Sequence, residues 1–324
     1  MPSFRSLIIT LIIFTGGLAE ASEQKVVSRA EYDQWMQEIS NWGRWGADDE
    51  LGTLNLITPA RSKAAAALVT EGVTVSLALD LNIVADDLNT NPFIHTRNTA
   101  EFSGHQVAGD RYEVEYHGFA HSHMDGLPHF AHYGKMYNGV EFSELNEGSD
   151  KLGIHNFKNG VFTRGVLVDM ARFKGVEYLQ PGTVITTEDF EAWEKATGIR
   201  VQAGDVLLVR TGRWAQVAAT GQWNFLEKAA GLHASVAKWL KERDVAVIGC
   251  DGVSDVMPSG VEGLANPLHE LVLVGLGMPI LDNLNLEDVA TAAAERNRWT
   301  FLYVGAPLRV RGGTGSPLNP LAVF

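Results

Sequence analysis

The spacing of apolar and polar positions changes repeatedly along the chain, and each change predicts an element. The polar stretch 22–41 carries a short helix around Tyr32 to Ile39. Thr58-Pro59 opens a helix that runs to Val69, because proline at the first helical position has its φ already set. Val73 to Leu81 alternates as a half-buried strand does, and Tyr112 to Tyr116 reads as a second short strand. Val161 to Met170 contains Gly165-Val-Leu-Val-Asp169, the composition of a buried strand. Thr187 to Thr197 predicts a short helix, and Gly204-Asp205 starts a strand that continues through Arg210 to Thr211-Gly212. Leu232 to Arg243 is an amphipathic helix with Val236, Ala237 and Leu240 on one face. Val245 to Gly249 is a strand ending in Asp251. His269 to Gly277 and Ile280 to Leu286 follow, joined by Gly277-Met-Pro279. A helix over Leu286 to Ala293 and a last strand over Phe301 to Leu308 complete the pattern.

Strands and helices are mixed without strict βαβ alternation, which predicts an α/β or α+β fold. No Gly-x-Gly-x-x-Gly follows a strand and no phosphate-binding Gly-Lys-Ser/Thr loop occurs, so the sequence offers nothing for NAD or ATP. No repeat and no Pro/Ser-rich linker divides the chain, so 22–324 is expected to form a single domain. Residues 1–21 differ in kind. Arg5 precedes the apolar run Leu7 to Leu18, and Ala19-Glu20-Ala21 is a small-x-small cleavage signal. Those three parts predict a secretory signal peptide, and the run is too short to span a bilayer. The expected product is a secreted or periplasmic protein with no membrane partner once the signal is removed.

Charge and cysteine usage narrow the classes further. Lys plus Arg number 26 against 39 Asp plus Glu, a net charge of −13. That balance argues against nucleic acid, which demands clustered positive charge. A single cysteine excludes an internal disulfide framework and a Cys-rich zinc site. Cys250 lies in the apolar run Val245-Ala-Val-Ile-Gly-Cys250, the setting of a buried, inert thiol. Any metal must therefore be held by histidines and carboxylates.

Such a set is present. Five of the ten histidines fall in the 16 residues from His117 to His132. The centre of the cluster is His123-x-Asp125-x3-His129. On an extended chain alternate residues share a face, so His121, His123 and Asp125 can converge on one ion. Two or three imidazoles with one carboxylate suit Zn²⁺, Mn²⁺ or Fe²⁺. A divalent ion with an open position brings the pKa of its water to about 7, and further histidines can move protons near neutral pH.

His123-Met-Asp125-Gly-Leu-Pro128-His129 resembles the His-x-Asp-x-Pro-x-His signature of the metal-dependent cyclase hydrolases, which include bacterial kynurenine formamidase and isatin hydrolase. Trp42 to Asn55 is similar to the opening of the longer members. Gly165 to Asp169, Gly204 to Gly212 and Val245 to Asp251 are similar to successive strands. His269 with Leu281-Asp282-Asn283-Leu284 is similar to the C-terminal motif. The resemblance implies an α/β fold, a swivelling β/β/α domain, with a divalent metal, Mn²⁺ or Zn²⁺. It implies a homodimer or homotetramer and hydrolysis of an amide or cyclic amide. Carried over, His123 and Asp125 are metal ligands, and His129 is the general acid/base. His269 is a ligand or orients water and substrate, and Asp282 stands where two-metal members carry a bridging Glu. Phe119 occupies the place of a ligand histidine of the short members, so the third ligand falls to His121 or His117. Pro128 is displaced by one position.

The working expectation is hydrolysis of a C–N bond. His121, His123 and Asp125 hold the metal, His129 moves the proton and His269 stabilises the oxyanion. A lactonase shares that tetrahedral chemistry, and a non-catalytic periplasmic metal- or ligand-binding protein is the alternative of another class. Trp42, Trp45, Phe119 and Phe130 are candidates to wall an apolar pocket or to fill the core. Arg210 and Arg213 follow a strand end and are read either as partners of a substrate carboxylate or as surface ion pairs. Gly312-Gly-Thr-Gly315 reads as a turn or a mobile tail.

Overall fold

A computed structural model describes residues 26–324. The signal peptide expected over 1–21 lies outside the described residues. The strands are β1 (Thr74–Ser76), β2 (Ile94–Phe102), β3 (His105–Glu113), β4 (His123–Asp125), β5 (Val161–Asp169), β6 (Val184–Ile185), β7 (Val206–Arg210), β8 (Gly231–Leu232), β9 (Val247–Cys250), β10 (Ile280–Asp282), β11 (Thr300–Gly305), β12 (Gly315–Pro317) and β13 (Leu321–Val323).

Nine of them form one mixed sheet in the order β1-β13-β11-β5-β7-β9-β10-β4-β12. Its centre, β5-β7-β9-β10, is parallel, and its flanks are antiparallel. Parallel strands are covered on both faces, which is why these segments read as unbroken apolar runs. Val166, Val168, Leu207 and Val209 face one core, together with Phe190 and Trp239. The alternate residues Leu167, Val206 and Leu208 face the other, with Phe301 and Tyr303. At β5, Gly165 leaves room for Phe301: a Cβ there would meet the ring at 2.4 Å.

Helices cover the first face. Arg29–Ile39 is capped by Ser28 and packs against the π-helical turn Leu271–Leu276, which continues the segment Pro267–Glu270. Pro59–Ala66 is capped by Thr58, as the Thr-Pro pair predicts.

Three expectations need correcting. The strand expected over Val73 to Leu81 pairs only at Thr74–Ser76. Tyr112 to Tyr116 is the end of a much larger feature, the hairpin β2-β3, in which all eighteen strand residues are exposed. Ser103 and Gly104 both have positive φ at its tip, as a tight hairpin turn demands. A ribbon wet on both faces has no apolar/polar alternation, so the sequence pattern does not reveal it. Finally, Gly312 to Gly315 is no mobile tail: the turn delivers Gly315 and Ser316, both buried, into the sheet as β12.

Candidate metal centre

The edge of the sheet builds the site. β4 is sandwiched between β10 and β12, so His123 lies opposite Asp282 and Asp125 lies opposite Gly315. No side chain larger than hydrogen fits at 315, where a Cβ would meet the Met124 carbonyl at 2.5 Å and His117 at 2.9 Å. Before β4 the chain is not extended. Gly118 turns it at φ +134°, a conformation that favours glycine. The Arg213 guanidinium donates to the Phe119 carbonyl (2.7 Å) and to Asn283 (2.5 Å), and the Asn283 amide donates to the carbonyls of Gly118 (2.7 Å) and His121 (3.2 Å). This bend swings His117 around to Asp125.

Asp125 is the hub. From its Oδ1, His117 Nδ1 lies at 2.8 Å, His123 Nε2 at 3.3 Å and His129 Nε2 at 3.9 Å; from its Oδ2, His269 Nε2 lies at 3.6 Å. His269 Nε2 is also 3.0 Å from Asp282 Oδ2. Three of the four imidazoles have their outer nitrogen held by the protein. The outer nitrogen of His117 meets Thr314 Oγ1 (2.9 Å), that of His123 meets the His121 carbonyl (2.8 Å), and that of His269 meets Asp255 (2.6 Å). With those outer nitrogens as donors, the inner nitrogens of His117 and His123 present lone pairs toward the hub, which is how metal-ligating histidines are oriented.

Both Asp125 oxygens and His117 Nδ1 are buried without a hydrogen-bond partner. Their 2.8 Å approach lacks hydrogen-bond direction. A buried carboxylate left in that state costs several kcal/mol, and a cation bound to it removes the cost. Two donor groups meet here, His117-Asp125-His129 and His123-Asp125-Asp282, with the ligating atoms of each within 4.8 Å of one another. The residues present therefore fit a divalent ion.

The electrostatics agree. Burial alone would raise the Asp125 carboxyl, but His123 and His117 hold it well below the usual carboxylate range. Burial opposes charge on His269 and His123, yet Asp282 and Asp255 push the first well above its ordinary value, and Asp125 raises the second. The pocket thus draws positive charge to its carboxylates. His129 goes the other way: burial, opposed by Asp125 and reinforced by His117, lowers it to about 4. Its side chain keeps a quarter of its surface exposed, so a neutral imidazole faces the opening.

Of the residues singled out in the sequence, His117, His123, Asp125, His129, His269 and Asp282 are brought together. His121 is not. The bend at Gly118 removes it from the face that an extended chain would give it, and its Nδ1 instead accepts the Asn82 N–H at 3.4 Å. His132 is turned away and pairs with Glu270 at 2.8 Å. Phe130 packs against the His269 ring (5.3 Å), whereas the Trp42 indole N–H donates to the Val274 carbonyl and Trp45 takes the Arg44 guanidinium on its face. Phe119 lines three cavities of about 750, 710 and 210 Å³. The second is walled by Leu226, Met257, Val261 and Leu264. Arg210 and Arg213 are neither surface pairs nor free for a substrate: Arg210 is buried against Asp169 and Glu287, and Arg213 holds the bend. Cys250 is buried, and burial raises its thiol well above the ordinary value. Sequence reasoning missed Ser254 and Asp255. Their only local signal is a short polar run after the apolar strand β9.

Comparison with known proteins places this arrangement. The family described as "Putative cyclase" matches residues 73–255. A crystal structure of a novel cyclase superposes with a TM-score of 0.80 at 32% identity, covering 89% of this chain and 99% of that one. Isatin hydrolase A from Ralstonia solanacearum superposes with a TM-score of 0.57 at 21% identity, covering 82% of this chain and 97% of its own. Isatin hydrolase A from Labrenzia aggregata, bound to benzyl benzoate, gives 0.55 at 18% identity, covering 81% and 96%. At those identities the isatin hydrolases share the fold. No curated protein sequence matches the chain.

Proposed function

This chain belongs to the cyclase family, and from that premise we propose that it is a metal-dependent hydrolase cleaving the C–N bond of an amide or cyclic amide. One observation carries the reading: Asp125, buried and with both oxygens unpartnered, lies at the focus of four imidazoles and Asp282. His117, His123, Asp125 and Asp282 would hold the ion, Mn²⁺ or Zn²⁺, with His269 beside them. A divalent ion in such a site supplies a Lewis acid and a water acidic enough to react at neutral pH.

The chain's own groups do the rest. His129 Nε2, neutral at pH 7, takes a proton from the attacking water and returns it to the leaving nitrogen. His269, charged between Asp282 and Asp255, holds developing negative charge on the substrate oxygen. A cavity of about 210 Å³ lined by Tyr116, His117, Gly118 and Phe119 adjoins the centre, and Phe119 also walls a cavity of about 710 Å³ with Leu226, Met257 and Leu264, whose apolar lining favours an aromatic or cyclic amide. Such a bicyclic lactam is the kind of substrate named for the isatin hydrolases that share the fold.

The homodimer or homotetramer remains part of the proposal, and the wholly exposed hairpin β2-β3 is the surface offered for it. Export through residues 1–21 is also proposed, and N-terminal sequencing of protein from a periplasmic fraction tests it. Among the described residues no helix is long and apolar enough to cross a membrane.

The primary test is elemental mass spectrometry on untagged protein, with the same sample assayed on isatin, N-formylkynurenine and simple lactones. One or two equivalents of Mn or Zn, with amide hydrolysis lost on chelation and restored by metal, is the expected result. A folded protein that takes up neither ion overturns the proposal.

A further inference from the structure

Ser254 and Asp255 follow β9, outside both donor groups, yet each touches one member of the centre. Ser254 Oγ donates to Asp282 Oδ1 at 3.1 Å. Asp255 Oδ2 receives the His269 ring nitrogen Nδ1 at 2.6 Å and the His269 backbone N–H at 3.2 Å, while its Oδ1 receives the Leu268 N–H at 2.7 Å. Both residues are buried, at 1% and 2% exposure. Ser254 is in the left-handed region at φ +57°, a strained backbone for a residue with a Cβ, and strain of this kind persists only where surrounding contacts over-determine it. Those contacts are present: the Ser254 carbonyl accepts from Leu232 N–H at 2.7 Å, and Val256 N–H donates back to the Leu232 carbonyl at 3.1 Å. The strand pair β6-β8 thus pins the tandem from behind.

We propose that Ser254-Asp255 is the positioning element of the metal centre, with Asp255 fixing the ring of His269 and Ser254 fixing the carboxylate of Asp282. The inference rests on the metal-centre reading above. An asparagine at 255 keeps the oxygen that caps the turn at the Leu268 N–H. The other oxygen, which takes both the His269 backbone N–H and its imidazole, is the one the substitution removes. With Nδ1–H held there, His269 Nε2 can face only Asp282 and Asp125. Ser254 takes one Asp282 oxygen and leaves the other, Oδ2, for the centre.

The test titrates Zn²⁺ or Mn²⁺ alone against a competing chelator, using the full chain and its Asp255→Asn and Ser254→Ala variants. Loss of an outer partner of this kind weakens metal binding by about 10–100-fold, and Asp255→Asn is expected in that range with Ser254→Ala weaker by a smaller factor. The metal-free proteins should all still unfold in one cooperative transition, since the asparagine keeps the Leu268 cap. A wild-type chain that binds neither ion overturns the metal-centre reading. Wild-type binding matched in affinity by Asp255→Asn overturns this inference alone. Should Asp255→Asn fail to fold, imidazole ¹⁵N spectra of the wild type decide: a protonated Nδ1 on His269 supports the assignment, and a bare one overturns it.

Discussion

The imidazoles of His117 and His129 stack face to face, with centroids 3.8 Å apart and planes 6° from parallel. Burial, opposed by Asp125 and reinforced by the stacked ring, lowers His129 to about 4. Both turn an edge toward Asp125 Oδ1, at 2.8 Å and 3.9 Å. The proposed ligand and the proposed base therefore sit side by side, and burial, with the neighbouring ring adding to it, favours the neutral form of His129.

The bend at Gly118 makes a ligand test possible within a few residues of sequence. His117→Gln should lower metal affinity by more than about 100-fold, beyond what loss of an outer partner costs. His121→Gln should leave metal content unchanged. Elemental analysis after desalting reads both, and metal lost from the His121 variant but kept by the His117 variant would reverse the assignment.

His129→Gln separates proton transfer from binding. The variant should keep its metal yet lose about 10²–10⁴-fold in kcat, the usual weight of a positioned acid/base. Steady-state kinetics on whichever amide the wild type hydrolyses, with metal content from the same batch, gives the answer. Full turnover by this variant would remove His129 from the mechanism.

Chelation should yield an inactive but folded protein. Two cores, one on each face of the central sheet, are built from apolar side chains that supply no ligating atom, so the fold should not depend on the ion. Far-UV circular dichroism should be unchanged. Saturating metal should raise stability by mass action, about 2.7 kcal/mol at a hundredfold excess over Kd. Unfolding on chelation would instead make the ion structural.

Gly315→Ala should cost about 1–3 kcal/mol, the range for overpacking, because its Cβ would strike the Met124 carbonyl and His117. Metal affinity should fall with it. Gly109→Ala in the hairpin is the control, since a Cβ there meets nothing within 4 Å and φ is not positive. Chemical denaturation compares the two, and equal midpoints would show that β12 yields to the side chain.

The hairpin carries Ile94, Phe102 and Val107 on one face, all exposed. An isolated two-stranded ribbon is marginal in water, and apolar residues along it favour burial against another copy. Phe102→Glu combined with Val107→Lys should lower the mass measured by light scattering. An unchanged mass would move the interface elsewhere.

How much of this was legible in the sequence follows from the range of each interaction. β5, β7 and β9 announce themselves because burial on both faces leaves unbroken apolar runs. The spacing His123-x-Asp125-x3-His129 also suffices, because β4 and the turn after it are local. The choice between His117 and His121 is not local. It depends on Arg213 and Asn283, which grip the Gly118–His121 bend from 94 and 165 positions away. Asp255 was illegible for the same reason: nothing around it in sequence says that a histidine ring will arrive at 2.6 Å. The hairpin escaped because a ribbon solvated on both faces has no pattern to read.

Thr314, which meets the outer nitrogen of His117, lies 197 positions further along the chain. Gly315 then closes the far side of Asp125. On the ribosome, every histidine of the cluster is made long before the strand that aligns it. The centre is consequently among the last parts of the protein to exist, and an ion that meets the growing chain finds loose histidines in place of a site. Selection of the correct metal is thereby deferred to wherever synthesis and folding of the chain through β12 are complete.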